Sequence, residues 1–519
     1  MTDCLRSVHT VESVAVAKEH NKHIVQPPKF TWPVIRKYVI TRFSSLWVGR
    51  EELSQYSWNQ ILNPFQPLVH VNRHQWNFFM LGFLAWTWDA LDYFTTSLNL
   101  TNIAEDLNVS IKDASWGMTL VLMLRTGGAI IFGAIGDFKG RRWPYMINLG
   151  FLIVIQIGTG FVKTYAAFLG TRAAFGIAMG GIYGICAAEA LSDAPTTARG
   201  VLSGIFQEGY ALGFLLATIF QRALVDTTKE GWRSMFWFSA GPPVLLIIWR
   251  FFTPETNSYQ RQQERFEAGA AAKDSNIKEF KSQAVHALKS YWLIIIYLIF
   301  MMSGFNFSSH GSQDLYTTLM QKQYGFGEDR TTVVNVCANL GALAGGIIVG
   351  HLSSFIGRRT AIIAANLFTA AFIYPWAFRP MWVTAFFMQF GIQGAWGVVP
   401  THLTELSPPQ FKAFVTGVSY QLGNLVSSAS STIEATIGER FPINAEEGIY
   451  DYGKTMAIFC GAVLAYLTIV VLLGPENRNA ELGVEREDVY AVNDSDEGAL
   501  VTPEIDEKKN NDVVTIEKV

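Results

Sequence analysis

Long apolar stretches, separated by short polar segments, run through the sequence from residue 76 to residue 474. Each of twelve stretches is about 20 residues long, the length that an α-helix needs to cross the hydrocarbon core of a bilayer. The pattern therefore predicts twelve membrane helices, called spans 1 to 12 below. Their predicted bounds are about 77–98, 114–136, 144–163, 166–190, 200–221, 234–253, 291–317, 332–351, 360–379, 382–403, 412–434 and 454–474.

The polar segments divide the chain into five regions. We predict a polar N-terminal segment over 1–75, a six-helix bundle over 76–253, a charged central loop over 254–290, a second six-helix bundle over 291–474 and an acidic tail over 475–519. The composition of the central loop favours a surface helix or a flexible connector. The tail has 13 Asp or Glu against five Lys or Arg, which is typical of disordered chain. The predicted fold class is an all-α membrane protein with two pseudo-symmetric six-helix bundles.

The Lys and Arg residues predict the orientation of the chain. With the N-terminus inside, 28 of the 40 Lys and Arg residues fall on the cytoplasmic side and 10 on the outer side, while Arg125 and Arg172 lie within spans. Cytoplasmic loops of membrane proteins carry the excess of basic residues. We therefore predict that both termini and the central loop are cytoplasmic.

Composition and charge exclude several classes of function. Only 16% of the residues are charged, against about a quarter in soluble proteins, and a net charge of -3 gives no basic field for nucleic acid. Cys186, Cys337 and Cys460 lie in apolar runs without metal-ligand spacing or a disulfide framework. No nucleophile elbow or nucleotide loop is found. We expect no enzymatic activity, cofactor or metal, and transport driven by a gradient.

The two predicted bundles carry matching features at matching places. Residues 133–142 after span 2 and residues 350–359 after span 8, called the signature loops below, both end in Gly-Arg-Arg. Glu189 ends span 4 as Glu405 ends span 10, and a Pro-Glu dipeptide follows both span 6 and span 12. Such internal repeats are typical of secondary transporters, which bind substrate near the midplane between the halves.

The first signature loop, of the form Gly-x-x-x-Asp-x-x-Gly-Arg-Arg, resembles that of the major facilitator superfamily. Arg172-x-x-x-Gly176-x-x-x-Gly180 and the Pro-Glu endings strengthen the resemblance, which covers nearly all of residues 76–476. The residues that we assign to gating or structural roles are Asp137, Arg141, Arg142, Arg172, Glu189, Arg358, Arg359 and Glu405.

Two interpretations follow for these charged residues. The duplication of Glu189 and Glu405 predicts that both interact with the signature-loop arginines. Arg172, at the start of span 4, is interpreted as part of an interdomain charge network.

A narrower resemblance lies in span 7. Residues 306–318 fill every fixed position of the Asn-x-x-Ser/Thr-His-x-Ser/Thr-Gln-Asp-x-x-x-Thr signature of the fungal lactate permease family. The chain thus resembles a family of plasma-membrane carboxylate–proton symporters. The resemblance implies transport roles for Asn306, His310, Gln313 and Asp314 in span 7, Arg125 in span 2, and Gln421 and Asn424 in span 11.

Arg125 is the candidate anchor for a carboxylate. A charged side chain at the centre of a membrane helix costs roughly 2.5–3.5 kcal/mol on insertion scales. The planar guanidinium can hold a carboxylate through two parallel hydrogen bonds and stays charged at any working pH. The alternatives are a structural pair with Asp89 or Asp92 of span 1, or a position nearer the helix end.

Two pairs of residues are candidates for proton coupling. His310 and Asp314 are four residues apart and share a helix face, where such a pair can accept a proton near neutral pH. The alternative is a hydrogen-bonded stripe that orients the helix, or a gate contact. Asp89 and Asp92, three residues apart, also share a face and either take the proton or pair with Arg125.

Amide side chains in the two halves are candidates for binding the ends of an acid. Gln207 and Gln421 occupy corresponding places, and Asn424 lies one turn beyond Gln421. Amides donate to a carboxylate without adding charge; the alternative is interhelical hydrogen bonding. Lactate-preferring members of the family resemble one another in having an aromatic residue at position 207. We therefore favour C4-dicarboxylates such as succinate or malate, with monocarboxylates such as lactate, pyruvate or acetate as the alternative.

The predicted partners are a small carboxylate, protons and the lipid bilayer, for a monomer in the plasma membrane. Lys508, Lys509 and Lys518 are candidate sites for ubiquitination and endocytic machinery, unless the tail is merely solvated. The rival functions are a sugar or other organic solute carrier and a transporter-like nutrient receptor. Arg125 and the span 7 motif argue against the first, and the moderate terminal segments argue against the second.

Overall fold

The fold is taken from a computed structural model of the chain. It describes residues 31–44, 46, 48, 53–54, 56–109, 111–225, 227–260, 276–313, 315–408, 411–428, 430–438, 440–444 and 449–478. Asp314, most of the predicted tail and its three lysines lie outside the described residues.

The first half contains six spans, preceded by short helices. The N-terminal elements are Trp32–Ser44, Trp58–Leu62 and the 3-10 turn Gln66–His70. Spans 1 to 4 are Arg73–Leu98, Ile111–Lys139, Arg142–Gly160 and Tyr165–Ser192, with a short helix Leu100–Asp106 after span 1. Span 5 consists of Thr196–Gln207 and Gly209–Leu224, and span 6 of Trp232–Ser239 and Gly241–Phe251.

The second half repeats this arrangement. Span 7 is Asn276–Gln313, extended by Tyr316–Thr318 and a π-helical turn Leu319–Gln323. Spans 8 to 10 are Glu328–Ile356, Arg358–Phe378 and Trp382–Leu406. Span 11 consists of Lys412–Ser427 and Ser430–Gly438, a small hairpin pairs Pro442–Asn444 with Ile449–Tyr450, and span 12 is Tyr452–Leu473.

Local sequence explains where several of these helices begin, break and turn. Asn72 starts span 1 through a capping box with Gln75, in which each side chain accepts from the other's backbone N–H. Span 6 breaks at Ala240 because two prolines follow Gly241. In the signature loops Gly140 and Gly357 have φ angles of 89° and 101°, which L side chains rarely adopt.

Span 7 begins earlier than the sequence pattern predicted. Its helix starts at Asn276, inside the segment 254–290 that we predicted as the central loop. No Gly or Pro lies between 276 and 290, so nothing in the local sequence ends the helix. The charged half of the predicted loop is therefore a helical extension of span 7.

Eight of the described helices are long and apolar enough to cross a membrane, namely spans 2 to 5, 7 to 9 and 12. The other four are broken, as spans 6 and 11 are, or carry polar residues, such as Asp89 and Asp92 in span 1. Within each bundle, close crossings depend on glycine. An added Cβ at Gly180 would overlap the carbonyl oxygen of Arg125, and one at Gly345 would overlap that of Phe390.

The described residues between 32 and 70, called the amino-terminal strap below, contact both bundles before the chain enters span 1. Tyr38 Oη donates to the carbonyl oxygen of Leu473, at the end of span 12, at 3.0 Å. His351 Nε2 of span 8 lies 3.1 Å from the carbonyl oxygens of Gln60 and Ile61. The 3-10 turn then packs on the first helix of span 5.

Candidate functional site

A cavity of about 440 Å³ lies between the two bundles. Its wall comes from spans 1, 2 and 5 of the first bundle and spans 7, 8, 10 and 11 of the second. The polar wall residues are Ser97, Arg125, Gln207, Glu208, Asn306, Ser309, His310, Ser312, Gln313, Thr317, Asn335, Asn339, Gln389, Gln393 and Asn424. A polar interior between two bundles is where secondary transporters bind substrate.

The cavity lies on the side of the molecule away from the signature loops. Span 2 contributes Met118, Leu122 and Arg125 to the wall, all well before its signature-loop end at Lys139. The aromatic floor consists of Tyr420 of span 11, which stacks on Tyr183 of span 4 with ring centroids 3.8 Å apart. The two bundles therefore meet at this stacked pair, between the cavity and the signature loops.

Two contacts close the signature-loop side. Asp137 Oδ1 accepts from the backbone N–H of Ala413 at 3.0 Å, and its Oδ2 accepts from that of Phe414 at 2.8 Å. A carboxylate at the first turn of a helix satisfies open N–H groups and complements the helix dipole. The predicted gating residue Asp137 therefore joins span 2 of the first bundle to span 11 of the second.

The second contact joins span 5 to span 10. Ser203 Oγ donates to the carbonyl oxygen of Gly397 at 2.8 Å and accepts from the N–H of Thr401 at 3.0 Å. Arg199 Nη1 lies 3.4 Å from Glu405 Oε1. Both bundles therefore hold each other through buried polar contacts, which must break before the cavity can open on this side.

Glu405 makes the interaction that we predicted for it. Arg358 Nε and Nη2 donate to its two carboxylate oxygens, each at 3.0 Å, and both side chains are fully buried. Two parallel charge-assisted bonds of this kind fix geometry as well as charge.

Glu189 has a nearer partner than the signature-loop arginine that we predicted, although the charge of Arg141 also acts on it. Glu189 pairs with Arg250, at the end of span 6, at 2.5 Å. Arg141 of the signature loop instead donates to the carbonyl oxygen of Ala188 and to Ser192 Oγ. Arg250 pairs directly with the carboxylate, whereas Arg141 bonds to neighbouring groups of span 4.

The second arginine of each signature loop contacts the end of the last span in its own bundle. Arg142 donates to the carbonyl oxygen of Phe251, in span 6. Arg359 donates through Nε to Val471 at 2.9 Å and through Nη2 to the carbonyl oxygen of Arg42, in the amino-terminal strap, at 3.1 Å. These two arginines therefore have structural contacts at the bundle ends.

Arg172 does not belong to an interdomain network, which corrects our interpretation. Its guanidinium donates to Thr96, Gln156 and Thr159 at 2.8–2.9 Å. All three residues lie in spans 1 and 3, and Arg172 is fully buried. Its contacts therefore lie within the first bundle.

Arg125 faces the cavity and is 3% exposed. It contacts Met179 Sδ and lies 4.9 Å from the ring centroid of Tyr93. Its Nε has no hydrogen-bond partner, and among the described residues no carboxylate forms an ion pair with it. The guanidinium thus has free donors beside a cavity.

Asp89 and Asp92 lie behind the cavity wall, each near a different arginine. The charge of Arg125 acts on Asp89, while Asp92 lies beside Gln156 and Arg172. Both carboxylates are buried. Neither is a wall residue of the cavity.

The span 7 residues that the structure describes reach the cavity together. Asn306, His310 and Gln313 all line it. Gln313 Nε2 donates to Gln389 Oε1 of span 10 at 3.1 Å. The predicted polar stripe therefore faces the space between the bundles, whereas its fourth member, Asp314, is not described.

The amides separate into wall residues and a supporting residue. Gln207 and Asn424 line the cavity, but Gln421 does not, contrary to our expectation. Gln421 is 1% exposed, and its Oε1 accepts from Asn424 Nδ2 at 3.1 Å. The side chain of Gln421 thus lies on the packed side of span 11. Its hydrogen bond positions the amide of Asn424.

Residues 73–485 match the family described as sugar (and other) transporter. The chain belongs to this family of the major facilitator superfamily. The prediction of a multi-pass transporter rather than an enzyme is therefore confirmed, as is the fold of two six-helix bundles.

Relatives and solved structures agree with this membership. The transporter is 35% identical to the carboxylic acid transporter protein homolog of Saccharomyces cerevisiae over 512 residues, which is 95% of this chain and 82% of that protein. It is 23% identical to the cis,cis-muconate transport protein of Acinetobacter baylyi over 373 residues, 71% of this chain and 88% of that protein.

The solved structures share the fold at low identity. The proton:xylose symporter XylE, bound to 6-bromo-6-deoxy-D-glucose, matches with a TM-score of 0.63 and 15% identity over 80% of this chain and 98% of that chain. The human organic anion transporter MFSD10 matches with a TM-score of 0.57 and 16% identity over 77% of this chain and 99% of that chain.

Three acidic residues of the transporter that sequence reasoning passed over have defined places. Glu255 and Glu476, in the duplicated Pro-Glu endings, accept from the backbone N–H groups of Arg142 and of Arg358, at 2.8 and 3.1 Å. The repeated dipeptide was the available signal. Glu208, beside Gln207, lines the cavity in the middle of span 5, and an acid within an apolar run could have revealed it.

Proposed function

We propose that the protein is a proton-coupled symporter that imports small carboxylates across the plasma membrane. The observation that carries this proposal is the guanidinium of Arg125, with free donors beside a cavity between the two bundles. A buried cation that no carboxylate contacts directly is costly. An organic anion that binds it with two charge-assisted hydrogen bonds would offset that cost.

The opposite wall supports a carboxylate ligand. Three spans of the second bundle place amide side chains on this wall. Each NH2 group has a second N–H beyond the one that it donates within the protein, and the residues are Asn306, Gln313, Gln389 and Asn424. They can bind carboxylate oxygens without adding charge. The name of the yeast relative, which is similar over 95% of this chain, also supports carboxylates.

We favour C4-dicarboxylates such as succinate or malate over monocarboxylates such as lactate. Gln207 presents its amide to the cavity on the first-bundle side, where the Nε2 group can donate to a carboxylate oxygen. The cavity therefore has polar groups available at more than one place. A second carboxylate needs such groups, whereas the methyl group of lactate does not.

In this proposal the cavity opens to the outside and the gate at the signature loops is cytoplasmic, with both termini. The distribution of Lys and Arg supports this orientation. His310, Asp314, Asp89 and Asp92 remain the residues that the sequence proposes for proton coupling. His310 lines the cavity, and Asp89 lies near Arg125, so both could respond to a bound anion.

Uptake of radiolabelled succinate and lactate by cells that express the chain tests the proposal. Uptake should rise as external pH falls, collapse with a protonophore, and be inhibited by unlabelled carboxylic acids but not by xylose. Competition between succinate and lactate ranks the two substrate classes. Uptake that ignores external pH and the protonophore would remove the proton-symport claim.

A further inference from the structure

Glu208 is a buried acidic side chain in the middle of span 5, and no Lys or Arg of the described residues forms an ion pair with it. It stands at the break between the two helices of span 5 and is 6% exposed. It lines the cavity, and its Oε1 has no hydrogen-bond partner among the described residues. A lone carboxylate is costly in such a place unless a cation or a proton neutralises it.

The carboxyl group of Glu208 reaches from the first bundle onto the second. An added Cβ at Gly346 of span 8 would overlap Glu208 Oε1, so the acid lies directly against this glycine. Gly346 also packs closely on Gly204 of span 5. Alternating access moves the two bundles relative to each other around the substrate. The charge of Glu208 therefore acts at a contact between the two bundles.

The ionisable groups that face the same cavity come from spans 1, 2, 5, 7 and 11. They are Tyr93, Arg125, Tyr210, His310, Tyr316 and Tyr420. Spans 8 and 10, which pack on span 5, contribute only uncharged residues to the described wall. Asp89 lies behind the wall, where the charge of Arg125 acts on it. Arg125 is thus the permanent cation of this wall, and it forms no ion pair with Glu208 among the described residues.

We infer that Glu208 carries the transported proton and, once protonated, donates a hydrogen bond to the second carboxylate of a dicarboxylate whose first carboxylate binds Arg125. This inference rests on the proposed function. An ionised Glu208 would repel the second carboxylate, whereas the protonated acid attracts it. Protonation and anion binding therefore favour each other, which is what symport requires.

The proton balance of the cycle is simple. The carboxylate of Glu208 takes a proton from the solution that fills the open cavity and forms one O–H bond. The dicarboxylate binds to this neutral acid and to Arg125, and the loaded carrier changes conformation. On the other side the dicarboxylate leaves and the O–H bond gives up its proton, which regenerates the carboxylate. One proton then crosses with each dianion through this residue.

Glu208→Gln tests the inference because an amide keeps a donor and an acceptor but cannot release a proton. Purified protein in proteoliposomes would be assayed for exchange of radiolabelled succinate without a pH gradient, and for accumulation driven by an inwardly directed proton gradient. A pH-sensitive dye would record succinate-triggered proton uptake. Glu230→Gln is the matched control, since it makes the same change on an exposed side chain.

Wild type and Glu230→Gln should exchange and accumulate succinate and take up protons with it. Glu208→Gln should keep exchange, now independent of pH, but lose accumulation and succinate-triggered proton uptake. Accumulation in Glu208→Gln equal to wild type would overturn the inference, as would loss of exchange in a variant with an unchanged thermal unfolding curve. If Glu208→Gln does not fold, Glu208→Asp is measured, and its pH profile for exchange must shift from that of wild type; an unshifted profile overturns the inference.

Failure of this inference and failure of the proposed function give different results. If wild type does not accumulate any carboxylate under a proton gradient, the proposed function fails before a variant is needed. If wild type accumulates succinate and Asp89→Asn loses accumulation while Glu208→Gln keeps it, the proton travels on Asp89 and only the inference about Glu208 is wrong.

Discussion

The carboxylate of Asp137, in span 2, accepts a hydrogen bond of 2.8 Å from the backbone N–H of Phe414, in span 11. With the second bond, from Ala413, one side chain of the first bundle satisfies the open end of a helix in the second. The cavity can open toward the signature loops only when these bonds break. The ionised Asp137 thus stabilises the conformation described here relative to the opposite one.

Asp137→Ala should shift the transporter toward the conformation that is open at the signature loops. Hydrogen bonds to a charged group contribute about 1.5–3 kcal/mol each, so the population ratio should change by about tenfold or more. A cysteine at Ala198, buried at this end of span 5, would report the opening. Its reaction with a thiol reagent should accelerate in a background whose native cysteines are replaced.

Asp106→Asn is the matched control for this shift. Asp106 pairs with Arg233 at 2.6 Å near the opposite end of the first bundle, where both side chains are solvent-accessible. Exposed ion pairs contribute about 0–1 kcal/mol, so labelling at Ala198→Cys should stay at its reference rate. Equal acceleration in both variants would contradict the role given to Asp137.

Arg250→Met should lower the free energy of unfolding by about 3–5 kcal/mol, because it leaves Glu189 as a buried charge without its partner. Both side chains are fully buried in the pair. The double variant Glu189→Gln/Arg250→Met removes both charges and should recover at least half of that loss. Thermal unfolding of detergent-purified protein measures all three chains, and a double variant as unstable as the single one would show that the charge on Glu189 is not the cause.

Arg125→Lys should raise the KM for succinate by about tenfold or more, because a point charge replaces a planar fork that can make two parallel bonds. The maximal rate is affected less, since the positive charge remains. KM would be measured from initial uptake rates, normalised to the amount of protein in the membrane. Arg222→Lys, on an exposed side chain of span 5, is the control and should leave KM unchanged.

Gln207→Phe should lower the ratio of succinate to lactate uptake by about tenfold, the effect of losing one hydrogen bond to a charged group. The aromatic ring also fills space and makes the wall less polar. Gln207→Leu separates these effects, since it removes the amide without adding a ring. An unchanged ratio in Gln207→Phe would rule out the proposed preference for dicarboxylates over monocarboxylates.

The sequence was sufficient for the order of the spans and for several residues that line the cavity, because hydrophobic length and polar residues within apolar runs are local signals. It could not show which face of a helix turns toward the cavity when polar residues lie on more than one face. Gln421 and Asn424 are three residues apart on span 11, yet only Asn424 reaches the cavity. Which of them faces the solvent depends on how span 11 packs against the other spans, and no local pattern contains that information.

The duplication was also an incomplete guide. Glu189 and Glu405 occupy matching places, but they have different partners because the halves differ at one position. Arg250 stands four residues before Pro254, and the corresponding position before Pro475 is Val471. A single arginine in one half therefore replaces the pairing that Arg358 makes in the other. Sequence symmetry predicted the places of both acids and the partner of Glu405, but not the pairing of Glu189 with Arg250.

The amino-terminal strap contacts both bundles, so movement of one bundle against the other changes its contacts. It is held by the end of span 12 through Leu473 and by span 8 through His351, and its last turn rests on span 5. These attachments belong to different bundles, so one of them must yield when the bundles rotate. The contacts of the strap therefore add to those that hold the two bundles in the conformation described here.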